Sequence, residues 1–213
     1  MATYDKGILG SVSGKVGTVV GGTWKGIDYL RSKGRRKRNA VPTGKQKVHR
    51  AKFSFVAKFI QSMSGLPEMT FKHYTKEMTA SNFLFSYTMD NVLKGVYPDF
   101  SLDYQLAIIA KGSLPNGINP TAVRNGIGQV QFNWSDNSGN GIAKPDDKAI
   151  LVVYCEDLNQ CQYKIPGADR QAGTDTLNVS AFSGKLVQTW LSFISADGDD
   201  TATSIFTGAV NVD

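Results

Sequence analysis

The chain has 213 residues, 41% of them hydrophobic, and a formal net charge of +6. That length and composition exclude gross disorder and leave room for one large domain or two small ones. No apolar run approaches the roughly 18 to 20 residues of a membrane-crossing helix, so a transmembrane span is excluded.

The net charge hides a strong polarity. Residues 1–60 hold fourteen Lys or Arg against Asp5 and Asp28, whereas the rest of the chain holds ten bases against sixteen acids. Such a distribution implies a basic surface suited to phosphates or to an acidic neighbour, beside an acidic domain. The opening MATYDKGILGSVSGKVGTVV has no unbroken apolar segment behind a charged leader, because Gly, Ser and Lys interrupt it. No classical signal peptide is read there, and a cytoplasmic or virion location is expected.

Taken in chain order, the first element is a glycine-rich β-hairpin. Lys15 to Val20 and Thr23 to Arg31 flank Gly21-Gly22, a pair able to adopt the positive φ of a two-residue turn. Alternation along the second strand places Trp24, Gly26, Asp28 and Leu30 on one face and Lys25, Ile27, Tyr29 and Arg31 on the other. Glycine packs nothing, so this hairpin is weak alone and is expected to lean on the rest of the chain or on another copy.

A basic run follows, with nine Lys or Arg from Arg31 to Arg50 and no acid among them. The segment KQKVHRAKFSFVAKFIQSM then shows helical spacing. Val48, Phe53, Phe55, Val56, Phe59 and Ile60 form an apolar face, and Lys47, Arg50, Ser54 and Lys58 share the opposite one. Beyond the breaker SGLP, EMTFKHYTKEM and SNFLFSYTMDNVLKG continue as one broken helix or two, ending at Gly95.

From about Ser101 the texture becomes short β-type runs between turn signals. The predicted strands lie in DYQLAIIAKGSL, GQVQFNWSD, KAILVVYCE, QCQYKI, DTLNVS, LVQTWLSFISA and SIFTGAVNV. Seven such runs in about 110 residues read as an antiparallel β-sandwich of the immunoglobulin or fibronectin type III class, with Trp134, Trp190 and Phe193 as core bulk. Cys155 and Cys161 flank a predicted turn at Asp157-Leu158-Asn159. Across that turn a disulfide is geometrically possible, with two free thiols as the alternative.

The stretches GILGSVSGKVGTVVGGTWKGIDYLRS, RAKFSFVAKFI, FNWSDNSGNGIAKPDDKAILVVY and FISADG together resemble an uncharacterised family of about 210 residues from Bacteroidota genomes. The resemblance covers essentially the whole chain. It implies that hairpin, helices and sandwich form one unit, and it supplies no activity, cofactor or catalytic residue. SKGRRKRNA is more basic than the corresponding stretch of typical members, so a role resting on it belongs to this chain.

Motifs for catalysis are weak. In GSVSGKV the glycines enclose three residues instead of four, and Val16 stands where a phosphate-binding loop needs Ser or Thr for magnesium. Asp136, Ser138, Asn140, Gly141 and Asp147 fall at calcium-loop offsets, but these are also turn residues and no helix pair flanks them. His49 and His73 are the two histidines, and neither lies near a nucleophile in sequence.

The expected fold is therefore α+β. Residues 1–44 form the hairpin and basic arm, 45–100 a helical segment and 101–213 the sandwich. The expected function is a non-enzymatic structural or assembly protein, virion- or polymer-type, acting as a homo-oligomer or larger assembly. Its candidate nucleic-acid-binding residues are Arg31, Lys33, Arg35, Arg36, Lys37, Arg38, Lys45, Lys47, Arg50 and Lys58, which would contact DNA or RNA, or an acidic neighbouring subunit, without sequence specificity. The alternative is an Ig-like module whose sandwich loops recognise a carbohydrate or protein. No cofactor, metal or small-molecule substrate is expected.

Overall fold

The computed structural model describes residues 3–4, 10–24, 27–34, 41–74 and 78–213, which fall into two compact units, Met1–Thr43 and Gly44–Asp213. The first unit is an antiparallel meander of β1 (Thr3–Tyr4), β2 (Val12–Val16), β3 (Val19–Trp24) and β4 (Ile27–Ser32), paired in that order. Among its described residues no apolar side chain is fully buried.

The hairpin exists, but its turns are not where the glycine pair suggested. The chain reverses at Gly17-Thr18, where Gly17 takes φ +55° at the turn position that side-chain-bearing residues avoid. Gly21 and Gly22 lie inside β3 for a packing reason. A Cβ at residue 21 would stand 1.8 Å from the Val12 carbonyl oxygen, and one at residue 22 would stand 3.1 Å from the Tyr29 hydroxyl. β3 and β4 are antiparallel neighbours, with Trp24 paired to Ile27. Trp24 therefore shares a face with Ile27, Tyr29 and Arg31 instead of opposing them.

The second unit opens with α1 (Gly44–Ser62), as its 3.6-residue spacing predicts. Next come α2 (Leu66–Thr70) and α3 (Ala80–Tyr87), the latter capped by Thr79 Oγ1, which accepts from the Asn82 amide at 3.2 Å. The predicted helix does not reach Gly95. After a π-turn at Thr88–Val92 the chain becomes a hairpin, β5 (Leu93–Val96) and β6 (Asp99–Leu102). Pro98 disfavours helical backbone at Tyr97, and Gly95, at φ +89°, lets the Asp99 carbonyl come within 2.3 Å of where its Cβ would be.

The first predicted sandwich strand, within 103–114, is also corrected. Ala107 to Ala110 are buried in succession, yet their backbone is satisfied by non-ladder partners. Ile109 N–H donates to Ser204 Oγ at 2.9 Å, Thr70 Oγ1 donates to Ile109 O at 2.8 Å, and Trp190 Nε1 donates to Ala107 O at 3.1 Å. The strand is instead β7 (Ile118–Arg124), which Asn119 and Pro120 disguised as a turn; it is an edge strand with an irregular register at that point, where proline is tolerated.

The sandwich is completed by β8 (Gln129–Ser135), β9 (Lys148–Cys155), β10 (Gln160–Lys164), β11 (Thr174–Asn178), β12 (Lys185–Ile194) and β13 (Ile205–Val212). One sheet runs β11-β8-β7 and the other β10-β9-β12-β13, all antiparallel, a three-plus-four fibronectin type III-like arrangement. Every residue from Ala149 to Cys155 is buried because both faces of β9 are covered. Leu151, Val153, Val187, Leu191 and Phe193 face the sandwich interior with Phe132 and Trp134. Ile150, Val152, Tyr154 and Trp190 face outward, beneath Val56, Phe59, Met63 and Leu84 of the helical segment. Trp190 thus packs under the helices, three residues from Phe193 and on the other side of the strand.

Of the two alternatives for the cysteines, the register favours free thiols. A four-residue loop, 156–159, sets Cys155 opposite Gln160 and Cys161 opposite Tyr154. The one-residue offset sends the thiols to opposite faces, and both are free. Burial pushes the Cys161 thiol up to about 12.

Candidate nucleic-acid interface

Helix α1 buries Val56, Phe59 and Ile60 on one side. At 100° per residue, Lys47, Arg50, Ser54 and Lys58 project to the opposite side, and all four are exposed. Lys45 is exposed near the helix start but points along the core-facing direction, ahead of the first buried residue. Lys52 lies 6.0 Å from the Phe100 ring centre.

What distinguishes these cations is their pairing. In the sandwich, Arg124 pairs with Asp213, Lys148 with Asp169, Lys164 with Asp175, Arg170 with Asp147 and Lys185 with Asp157. Lys111 stands 5.0 Å over the Tyr74 ring. Among the described residues, Lys45, Lys47, Arg50 and Lys58 form no ion pair, nor do Lys15, Arg31 and Lys33 of the first unit. Arg31 ends β4 exposed, and the Lys33 amide is fixed by donation to Thr18 O at 2.7 Å. Arg35, Arg36, Lys37 and Arg38 lie outside the described residues. The candidate cations thus occupy α1 in one unit and β4 with its C-terminal extension in the other.

Other polar clusters are engaged by contacts within the chain, with Asp147 Oδ1 buried without a partner. An open cleft of about 330 Å³ is lined by His73, Tyr74, Gly112, Ser113, Asp199 and Asp200. It contains Ser, Asp and His, but in the wrong order for nucleophilic catalysis. Ser113 Oγ donates to Asp200, and His73 Nε2 stands 3.6 Å from the other oxygen of that carboxylate. The imidazole cannot take the Ser113 proton from there. At the calcium-loop offsets, Asp136 accepts from the Ser138 amide at 2.9 Å, and the Ser138 hydroxyl holds its carboxyl below the usual value. Asp147 is fully buried against Arg170, whose Nε donates to it at 3.0 Å. That carboxylate neutralises a guanidinium and is not open to a cation.

A sequence model for a family of unknown function, DUF6266, matches residues 11–208, from the start of β2 into β13. The chain belongs to the DUF6266 family. The matched span of this DUF6266 chain includes residues of both compact units, the basic run among them. No curated protein matches it in sequence. Among solved structures, the fibronectin type III domain of human collagen alpha-1(XX) chain is similar, at 10% identity and a TM-score of 0.36, covering 48% of this chain and 89% of that one.

Sequence reasoning found the α1 stripe and the shared face of Ile27, Tyr29 and Arg31, and missed that Trp24 and Lys15 join that face in this DUF6266 chain. Lys15, Val20 and Arg31 form one cross-strand rung, with Tyr29, Trp24 and Ile27 beyond them on the same face. Reading Thr23 to Arg31 as one strand concealed this.

Proposed function

We propose that this protein is a non-enzymatic structural or assembly component, of a virion or another polymer, that holds nucleic acid through its phosphates without reading sequence. One observation carries the reading: among the described residues, Lys45, Lys47, Arg50 and Lys58 of α1 and Lys15, Arg31 and Lys33 of the first unit are exposed and without acidic partners, whereas most cations of the sandwich are matched with carboxylates. Unpaired surface cations are free to displace the counterions condensed on a phosphate backbone, and that release drives binding without sequence preference. The N-terminal unit, lacking buried apolar side chains among its described residues, supports the assembly half of the proposal, because a sheet without a core gains stability from a neighbour.

Charge position separates this from generic stickiness. Lys47, Arg50 and Lys58 changed together to Ala should weaken DNA binding at fixed salt by about a factor of ten or more. Lys148, Lys164 and Lys185 changed together to Ala, which removes the same formal charge, should leave it within about twofold. Equal losses in the two triple variants would mean that total charge, not the α1 face, sets affinity. For assembly, light scattering of the full chain should report an oligomer, and a monomer would contradict that half.

A further inference from the structure

We propose that the N-terminal sheet face carrying Trp24, Ile27 and Tyr29 is a stacking platform for single-stranded nucleic acid. Lys15 and Arg31 would hold the phosphates beside it. The inference rests on the polyanion reading above and narrows it, for this surface, from any phosphate backbone to one with unpaired bases.

The pairing register puts these five side chains on one face. Trp24 pairs with Ile27, Gly22 with Tyr29, Val20 with Arg31, and Lys15 with Val20. Trp24 is 68% exposed, Ile27 69% and Tyr29 43%. Tyr29 lies across the position that a side chain at residue 22 would fill, its hydroxyl 3.1 Å and its ring carbon 3.3 Å from an ideal Cβ there. A glycine partner thus lets the ring lie along the sheet and present its other side to solvent. Trp24 and Tyr29 are diagonal neighbours on adjacent strands, roughly 7–8 Å apart, within reach of successive bases of an extended strand.

The two faces of the sheet differ in a way that selects the occupant. The register points Asp28 and Leu30 to the other face, and both border, together with Tyr29, a cleft completed by Gly10, Ser11 and Val12. The Asp28 carboxylate, accepting from Thr23 Oγ1 at 2.6 Å, would repel a phosphate there. The aromatic face has cations and, among its described residues, no acid. Exposed rings beside Lys and Arg complement a flexible polyanion with accessible bases, whereas a duplex keeps its bases stacked internally.

The test uses the full chain, a 20-nucleotide oligothymidylate and a random-sequence duplex of the same length. Trp134 and Trp190 are buried, so Trp24 is the tryptophan whose fluorescence a ligand can reach. The single strand should quench that emission and the duplex should not. Trp24→Ala and Tyr29→Ala should each weaken single-strand binding roughly 5- to 150-fold, the range for one stacked base, with duplex binding and salt dependence unchanged. If both variants bind the single strand like the parent while the Lys47, Arg50 and Lys58 variant loses affinity, the platform is refuted and the polyanion reading stands. If the parent binds neither nucleic acid, both fall. If the Trp24 and Tyr29 variants instead turn an oligomer into a monomer with unchanged nucleic-acid binding, the face is an interface between copies and the inference is overturned. Because the quenching comparison uses only the parent chain, a variant that fails to fold does not rescue the proposal.

Discussion

Changing Arg170 to Met should destabilise the sandwich by about 4 kcal/mol, and the structure says why. The guanidinium is fully buried. It donates to Asp147 Oδ2 at 3.0 Å, to Asn137 Oδ1 at 2.7 Å and to Pro115 O at 2.9 Å, and it sits 4.1 Å from the Phe193 ring centre. Methionine keeps most of the stem's volume but leaves Asp147 as a buried carboxylate whose remaining donor is the Lys144 amide at 2.9 Å. Removing one partner of a buried ion pair costs about 3–5 kcal/mol, and the orphaned acceptors at Asn137 and Pro115 place this case away from the lower end. The cost comes from the uncompensated charge, so adding Asp147→Leu should recover more than half of the loss. Urea unfolding of the parent, the single variant and the double variant measures this. A single-variant loss under 1 kcal/mol, or a double variant less stable than the single, would refute the reasoning.

Further outcomes follow from the same geometry. Under non-reducing conditions Cys155 and Cys161 should resist a maleimide in the folded protein and both react on unfolding; protection that persists in denaturant would indicate a disulfide. Gly21→Ala should expose the N-terminal unit to proteolysis while the sandwich stays intact, because its Cβ would meet the Val12 carbonyl at 1.8 Å; resistance equal to the parent would contradict the crossing seen there. The Ser138 hydroxyl and amide hold Asp136 below its ordinary value of 3.8, as the Ser195 hydroxyl does Asp197. A carboxyl depressed in the folded state contributes stability that is present above its unfolded value and is lost as pH falls through the folded one. Stability should therefore decline below about pH 4, and Ser138→Ala should make that decline shallower. An unchanged pH profile of the urea midpoint would count against this.

Much of the fold was legible because its patterns are local. Val56, Phe59 and Ile60 recur at helical spacing, and Val130, Phe132 and Trp134 alternate along a strand. The unbroken apolar run from Ala149 to Cys155 reflects cover on both faces, here a sheet on one side and helices on the other. What escaped depends on partners distant in sequence. Ala107 to Ala110 look like a strand until Ser204, Thr70 and Trp190 claim their backbone groups. Gly21-Gly22 looks like a turn until Val12 and Tyr29 occupy the space that side chains there would need. The cysteine pair turned on a single residue of loop length. At the candidate interface, the α1 stripe was visible as periodicity, but its lack of acidic partners is a three-dimensional property. That Trp24 and Lys15 share the face of Tyr29 and Arg31 needed the strand register.

The central claim, that exposed cations hold a phosphate backbone without reading bases, is tested most directly by measuring the affinity of the full chain for two duplexes of unrelated sequence across a salt series. The account predicts that the logarithm of affinity falls linearly with the logarithm of salt, by about 0.9 per phosphate neutralised, with coincident lines for the two sequences. Lys47, Arg50 and Lys58 changed to Ala should flatten that slope by about two to three. Absence of binding at low salt, or an affinity that salt leaves unchanged, would contradict it.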